Sequence, residues 1–115
     1  MRKLFTSVLV AAALSVAMLH ASEAPAIAAA SARQGRIVVT FDPSKPAGSL
    51  YIVEQQQSNK TWKAMASSSR SPITFTVHNP SPGVYWVRVR TQISNALTLI
   101  SAPRSYVVRK YGPFP

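Results

Sequence analysis

Apolar and polar side chains alternate one by one along much of the chain beyond residue 35. Ile73, Phe75 and Val77 share one face of a run, with Thr74, Thr76 and His78 on the other. Tyr85, Val87 and Val89 alternate in the same way with Trp86, Arg88 and Arg90. A period of two marks a half-buried β-strand. Between the two runs lies Asn79-Pro80-Ser81-Pro82-Gly83. Pro lacks an N–H and fixes φ, so this segment cannot continue a ladder and turns the chain back. A Tyr two residues past the Gly, at the start of the returning strand, has the placement of a tyrosine corner.

Further strand-like runs are spaced along the chain: Arg36 to Phe41, Leu50 to Gln55, Thr61 to Ala66, and Leu97 to Val108 with a bend at Ala102-Pro103. Loops rich in Ser, Pro, Gly and polar residues separate them. Short strands at this spacing predict an all-β fold, a small antiparallel β-sandwich. No stretch with a helical period follows the N-terminal segment.

That segment is of another kind. Arg2 and Lys3 are followed by an apolar run from Leu4 to Leu19 and then by small residues. This is the pattern of a bacterial secretory signal peptide, which places the product in the periplasm or outside the cell. The competing reading is an uncleaved anchor, but the run is Ala-rich and shorter than the ~20 residues of a spanning helix. Ser22-Glu23-Ala24, Ala26-Ile27-Ala28 and Ala28-Ala29-Ala30 are candidate cleavage sites, and Pro25 disfavours the first. The expected division is residues 1–30 for the leader, 31–110 for one domain and 111–115 for a flexible Pro-rich tail.

Charge narrows the set of partners. The chain has 13 Lys+Arg against 3 Asp+Glu. Without Arg2, Lys3 and Glu23, 11 basic and 2 acidic residues remain. Such a field attracts anionic polysaccharide or lipid surfaces, although cations can equally serve solubility. Specific nucleic-acid recognition is not expected. The absence of cysteine excludes disulfides and thiolate metal sites.

The candidates for chemistry are few. Beyond the leader, Asp42, Glu54 and His78 are the residues able to exchange protons near neutrality, and they fall in separate elements. General acid–base catalysis needs such groups to converge, and one His without further ligands does not build a zinc site. No enzyme activity, cofactor or metal is expected. Trp86, Arg88 and Arg90 form the sharpest feature, a stripe on the outer face of their strand. Trp–Arg stripes serve binding surfaces, but they also occur as internal cation–π ornaments of a sheet, with Glu54 pairing one Arg. Trp62 is either a lid on the core or a half-exposed platform. Asn59-Lys60-Thr61 is a sequon, relevant only in a host that glycosylates secreted proteins.

The order Tyr51-Ile-Val-Glu54, Thr61-Trp-Lys63, Ile73-Thr-Phe-Thr-Val77 and Pro82-Gly-Val-Tyr-Trp-Val-Arg-Val-Arg90 resembles a fibronectin type III domain over residues 36 to about 108. The resemblance implies that residues 36–41 are strand B and that Tyr51 and Val53 point inward on C. It also implies that Trp62 lies on C′ and that Tyr85 is the corner tyrosine of F. The E–F turn departs from the family, with Asn79 and Pro80 where a Leu is often found. A second departure lies upstream: residues 29–35 have poor β-propensity, so the first strand is expected to be missing or vestigial. That would leave strand 36–41 with an open edge. The functional expectation is a secreted, non-enzymatic binding or adhesion module that recognises a protein partner or an anionic envelope surface. The alternative is a structural subunit, a homo-oligomer through strand 36–41.

Overall fold

A computed structural model describes residues 22–110. Residues 1–21 of the leader expected over 1–30, and the tail expected at 111–115, lie outside them. The described residues form eight strands: β1 (Ala26–Arg33), β2 (Arg36–Asp42), β3 (Tyr51–Gln56), β4 (Trp62–Ser68), β5 (Ile73–Thr76), β6 (Gly83–Ser94), β7 (Leu97–Ile100) and β8 (Arg104–Val108). They build two antiparallel sheets. One has the order β1-β2-β5; the other runs β4-β3-β6-β7, with β8 also pairing β6. The protein is an all-β sandwich.

The alternation read from the sequence decides what each sheet buries. Ile37, Val39 and Phe41 from β2, with Ile73 and Phe75 from β5, face Tyr51, Val53, Val87 and Val89 from β3 and β6. Tyr106 and Val108 of β8 complete the core. Each fully buried Val or Ile contributes about 1.5–3 kcal/mol relative to exposure, so this interlock of aliphatic side chains is a main source of stability. Two polar groups enter the core in partnership: the Tyr106 hydroxyl donates to the Gln55 side-chain carbonyl. Tyr51 does similar work at the margin. Its hydroxyl accepts from the backbone N–H groups of Ser44 (3.2 Å) and Gly48 (2.9 Å), tying the β2–β3 loop to the sheet.

The first strand is present, contrary to expectation. β1 pairs with β2 along its length, from Ala26 opposite Asp42 to Arg33 opposite Arg36. A bulge between Ile27 and Ala29 shifts its phase, so that Ile27, Ala30 and Ala32 all pack on the core. Propensity argued against this strand, but small side chains suffice because β2 supplies the hydrogen-bonding partner and the bulky side of the contact. Two consequences correct the sequence reading. Strand 36–41 has β1 on one side and β5 on the other, so it offers no open edge for a homo-oligomer. The domain boundary drawn at residue 30 also falls inside β1, and the fold reaches back further still. Glu23 and Lys45 exchange backbone hydrogen bonds of 2.7 and 2.9 Å, and Pro25 is buried.

Candidate functional site

The outer face of the larger sheet is assembled from alternate residues of five strands. β6 pairs β3 with Arg88 opposite Glu54 and Arg90 opposite Ile52. β4 lies beyond β3, with Trp62 opposite Gln56. On the far side of β6, Trp86 stands opposite Ser105 and Val84 opposite Val107, while Arg90 stands opposite Ile100. Because β6 turns Val87 and Val89 to the core, Trp86, Arg88 and Arg90 must point outward.

Glu54 holds the centre. Its two carboxylate oxygens each accept a hydrogen bond from an arginine Nε, at 2.8 Å from Arg88 and 3.0 Å from Arg90. Glu54 is 7% exposed, and burial works to raise its pKa. The hydrogen bonds and charges of Arg88 and Arg90 outweigh that effect, so the carboxyl is held below the usual Glu value of 4.5. The Arg88 guanidinium carbon also sits 4.3 Å from the Trp62 ring centroid, a cation–π contact. Trp62, Arg88, Glu54 and Arg90 thus form one fixed line across three strands.

The candidate residues divide accordingly. Trp62, Arg88 and Arg90 come together through Glu54. Trp86 stays apart from that line at 44% exposure, beside the exposed pair Val84 and Val107 and on the same face as the exposed Ile100. Tyr85 lies on the inward phase of β6: its hydroxyl donates to the Ser81 carbonyl at 2.6 Å, and its ring stacks on Tyr106 with centroids 5.5 Å apart. Asp42 and His78 lie at opposite ends of the smaller sheet, at the exit of β2 and just after β5. Glu54 is on the other sheet. Among the described residues no three His, Cys, Asp or Glu side chains gather as a metal site.

Sequence reasoning missed the double engagement of Glu54 and the apolar flank. Both depend on which residues stand opposite one another. A signal for the flank was nonetheless present, in the outward phase shared by Val84 and Trp86 on one strand. Comparison with known proteins finds no family, no curated protein and no solved structure that matches this chain.

Proposed function

We propose that this chain is an exported, non-enzymatic binding module of fibronectin type III-like build, whose outer sheet face recognises a protein partner. Support for the family likeness comes from the strand order, β1-β2-β5 against β4-β3-β6 with the last strand folded in two pieces on β6. Support for the function comes from one observation: Trp86, Val84, Val107 and Ile100 are 41–60% exposed together on one face, beside two arginines pinned by a shared carboxylate. Trp and Arg are enriched at the energetic centres of protein interfaces, and exposed apolar clusters mark them. The Arg88–Glu54–Arg90 trio carries a residual single positive charge. A complementary partner therefore presents an apolar patch with a carboxylate at its rim rather than a polyanion.

The test is recovery of the partner from the native envelope fraction, its purification, and measurement of its affinity for the wild-type chain and for Trp86→Ala. A loss of at least about tenfold is expected, the size of a hot-spot truncation. Unchanged affinity of the same partner for a Val84→Ser/Trp86→Ala double variant would remove this face from consideration. Self-association abolished by that double variant would make the partner a second copy.

A further inference from the structure

Five of the eleven lysines and arginines among the described residues lie at one end of the sandwich, and we propose that this end docks on an anionic lipid bilayer. Strand register fixes the placement. The β1–β2 turn carries Arg33 and Arg36, directly opposite one another. β5 ends beside Arg36, so the connection to β6 and the start of β6 lie at the same end. Gly83 there stands opposite Val108, which places Arg109 and Lys110 beside it. The β3–β4 turn, with Lys60, is at this end too, because Gln55 stands opposite Val87 and the chain reverses just beyond.

Five cations from three chain segments therefore share one end, and all five are exposed. Among the described residues no acidic side chain lies there: Glu54 is in the middle of a sheet, while Glu23 and Asp42 are at the opposite end. Those two are matched there by Lys45 and Arg70. The ends are separated by about 20 Å, six residues of strand at ~3.3 Å each. That exceeds the ~8 Å Debye length at physiological salt, so the far acids do not cancel the near cations.

Folding does not account for this arrangement. Like charges directly opposite across a strand pair are destabilising, yet Arg33 and Arg36 flank a two-residue turn. Gln34 and Gly35 both have positive φ (52° and 80°), which holds the two arginines at adjacent strand ends. Neither of them takes part in the ion pairs among the described residues, both of which belong to Glu54.

The geometry favours a plane over a thread. Long side chains on separate turns at the tip of a sandwich can reach a flat surface together, whereas a polymer is held along a track. The sheet face that could offer a track has Arg88 and Arg90 tied to Glu54. The proposal is independent of the protein-binding face, and the two surfaces are separately testable.

The experiment measures partition of the full chain onto vesicles of equal parts phosphatidylcholine and phosphatidylglycerol, and onto phosphatidylcholine alone. Arg2 and Lys3 are kept in every variant, so the N-terminal stretch contributes equally throughout and cancels when a variant's ratio is compared with that of the wild type. Each cation near an anionic surface multiplies partition about fivefold, so a ratio on the order of a thousand at low salt is expected, falling as salt rises. Arg33→Gln/Arg36→Gln/Arg109→Gln/Lys110→Gln should lower it by roughly several hundredfold. Lys45→Gln/Lys63→Gln/Arg70→Gln/Arg104→Gln loses the same charge elsewhere and should lower it less than about tenfold. Trp86→Ala should leave the ratio unchanged. Should the first quadruple variant unfold, Lys60→Gln/Arg109→Gln/Lys110→Gln spares the hairpin and is read in the same way. Equal losses from the two quadruple variants would reduce the effect to net charge and overturn the proposal, as would a wild-type ratio near one. Binding to polygalacturonate without preference for anionic vesicles would assign this end to acidic polysaccharide instead.

Discussion

The Tyr85 hydroxyl donates to the Ser81 carbonyl 2.6 Å away, four residues back along the chain. The bond closes the turn between β5 and β6 and fixes where β6 begins. The ring, stacked on Tyr106, anchors the same corner to the core. Tyr85→Phe keeps the stack and loses one hydrogen bond, a cost of about 0.5–1.5 kcal/mol. Tyr85→Ala loses both and should cost about 3–5 kcal/mol. Denaturant midpoints of the two variants check the ordering; equal shifts would contradict it.

Glu54 predicts an acid-sensitive element. Its folded carboxyl binds a proton less readily than an unfolded one, so the trio's contribution is complete above the ordinary value of 4.5 and is lost as pH falls through the lower folded value. Glu54→Gln should cost about 2 kcal/mol at neutral pH, through two charged hydrogen bonds weakened at arginines whose side chains are 24% and 30% exposed. It should also flatten the fall in stability below pH 4.5. Urea melts of both proteins across that range give the answer.

Tyr106 predicts the alkaline limit. Burial, with a smaller effect of neighbouring Tyr85, pushes its phenol from 10.0 up to about 12. The fold favours the neutral form, so its contribution is complete below 10.0 and is lost as pH rises towards about 12. The absorbance of phenolate at Tyr106 should appear together with loss of the fold. In Tyr106→Phe that alkaline step should shrink, at the expense of leaving Gln55 unpaired.

Gly48 has no room for a side chain. A Cβ there would lie 1.9 Å from Oγ1 of Thr91, which is fully buried and donates to the Leu50 carbonyl at 2.6 Å. Thr91 is β-branched and stiff, so it cannot swing aside. Gly48→Ala should cost about 1–3 kcal/mol. In a Thr91→Ala background the same change should cost much less, a coupling that a double-mutant cycle measures directly.

The proposed export sets a further constraint. If the N-terminal stretch is a cleaved leader, cleavage at or before Glu23 is expected. A start between Ala29 and Ala32 would discard the Glu23–Lys45 bonds, buried Pro25 and Ile27. Such a truncated chain should be about 2–4 kcal/mol less stable. The intact mass of the exported protein decides where cleavage falls.

Much of this architecture was legible because β2, β5 and β6 carry bulky residues at every second position. Alternation then states both the strand and its inward face. β1 was not legible for two physical reasons. Its residues, Ala-Ile-Ala-Ala-Ala-Ser-Ala-Arg, are too small to signal burial, and the bulge after Ile27 breaks the period by one residue. The outward stripe of Trp86, Arg88 and Arg90 followed from the phase of β6 alone. That Arg88 stacks on Trp62 rather than on its chain neighbour Trp86 depends on the packing of three strands. Gln55 gave no signal of its own: a polar residue on an inward phase becomes intelligible only once Tyr106 is seen to meet it.

The chain enters the sandwich near Glu23 and leaves it at Lys110, at opposite ends, about 20 Å apart. Where a reporter is attached therefore decides what it disturbs. A fluorescent protein fused after Pro115 would crowd the end that carries Arg33, Arg36 and Lys60. One joined ahead of Ser22 would hang from the neutral end and leave that surface clear. Two laboratories tagging the same protein at different termini should obtain opposite answers about whether it adheres.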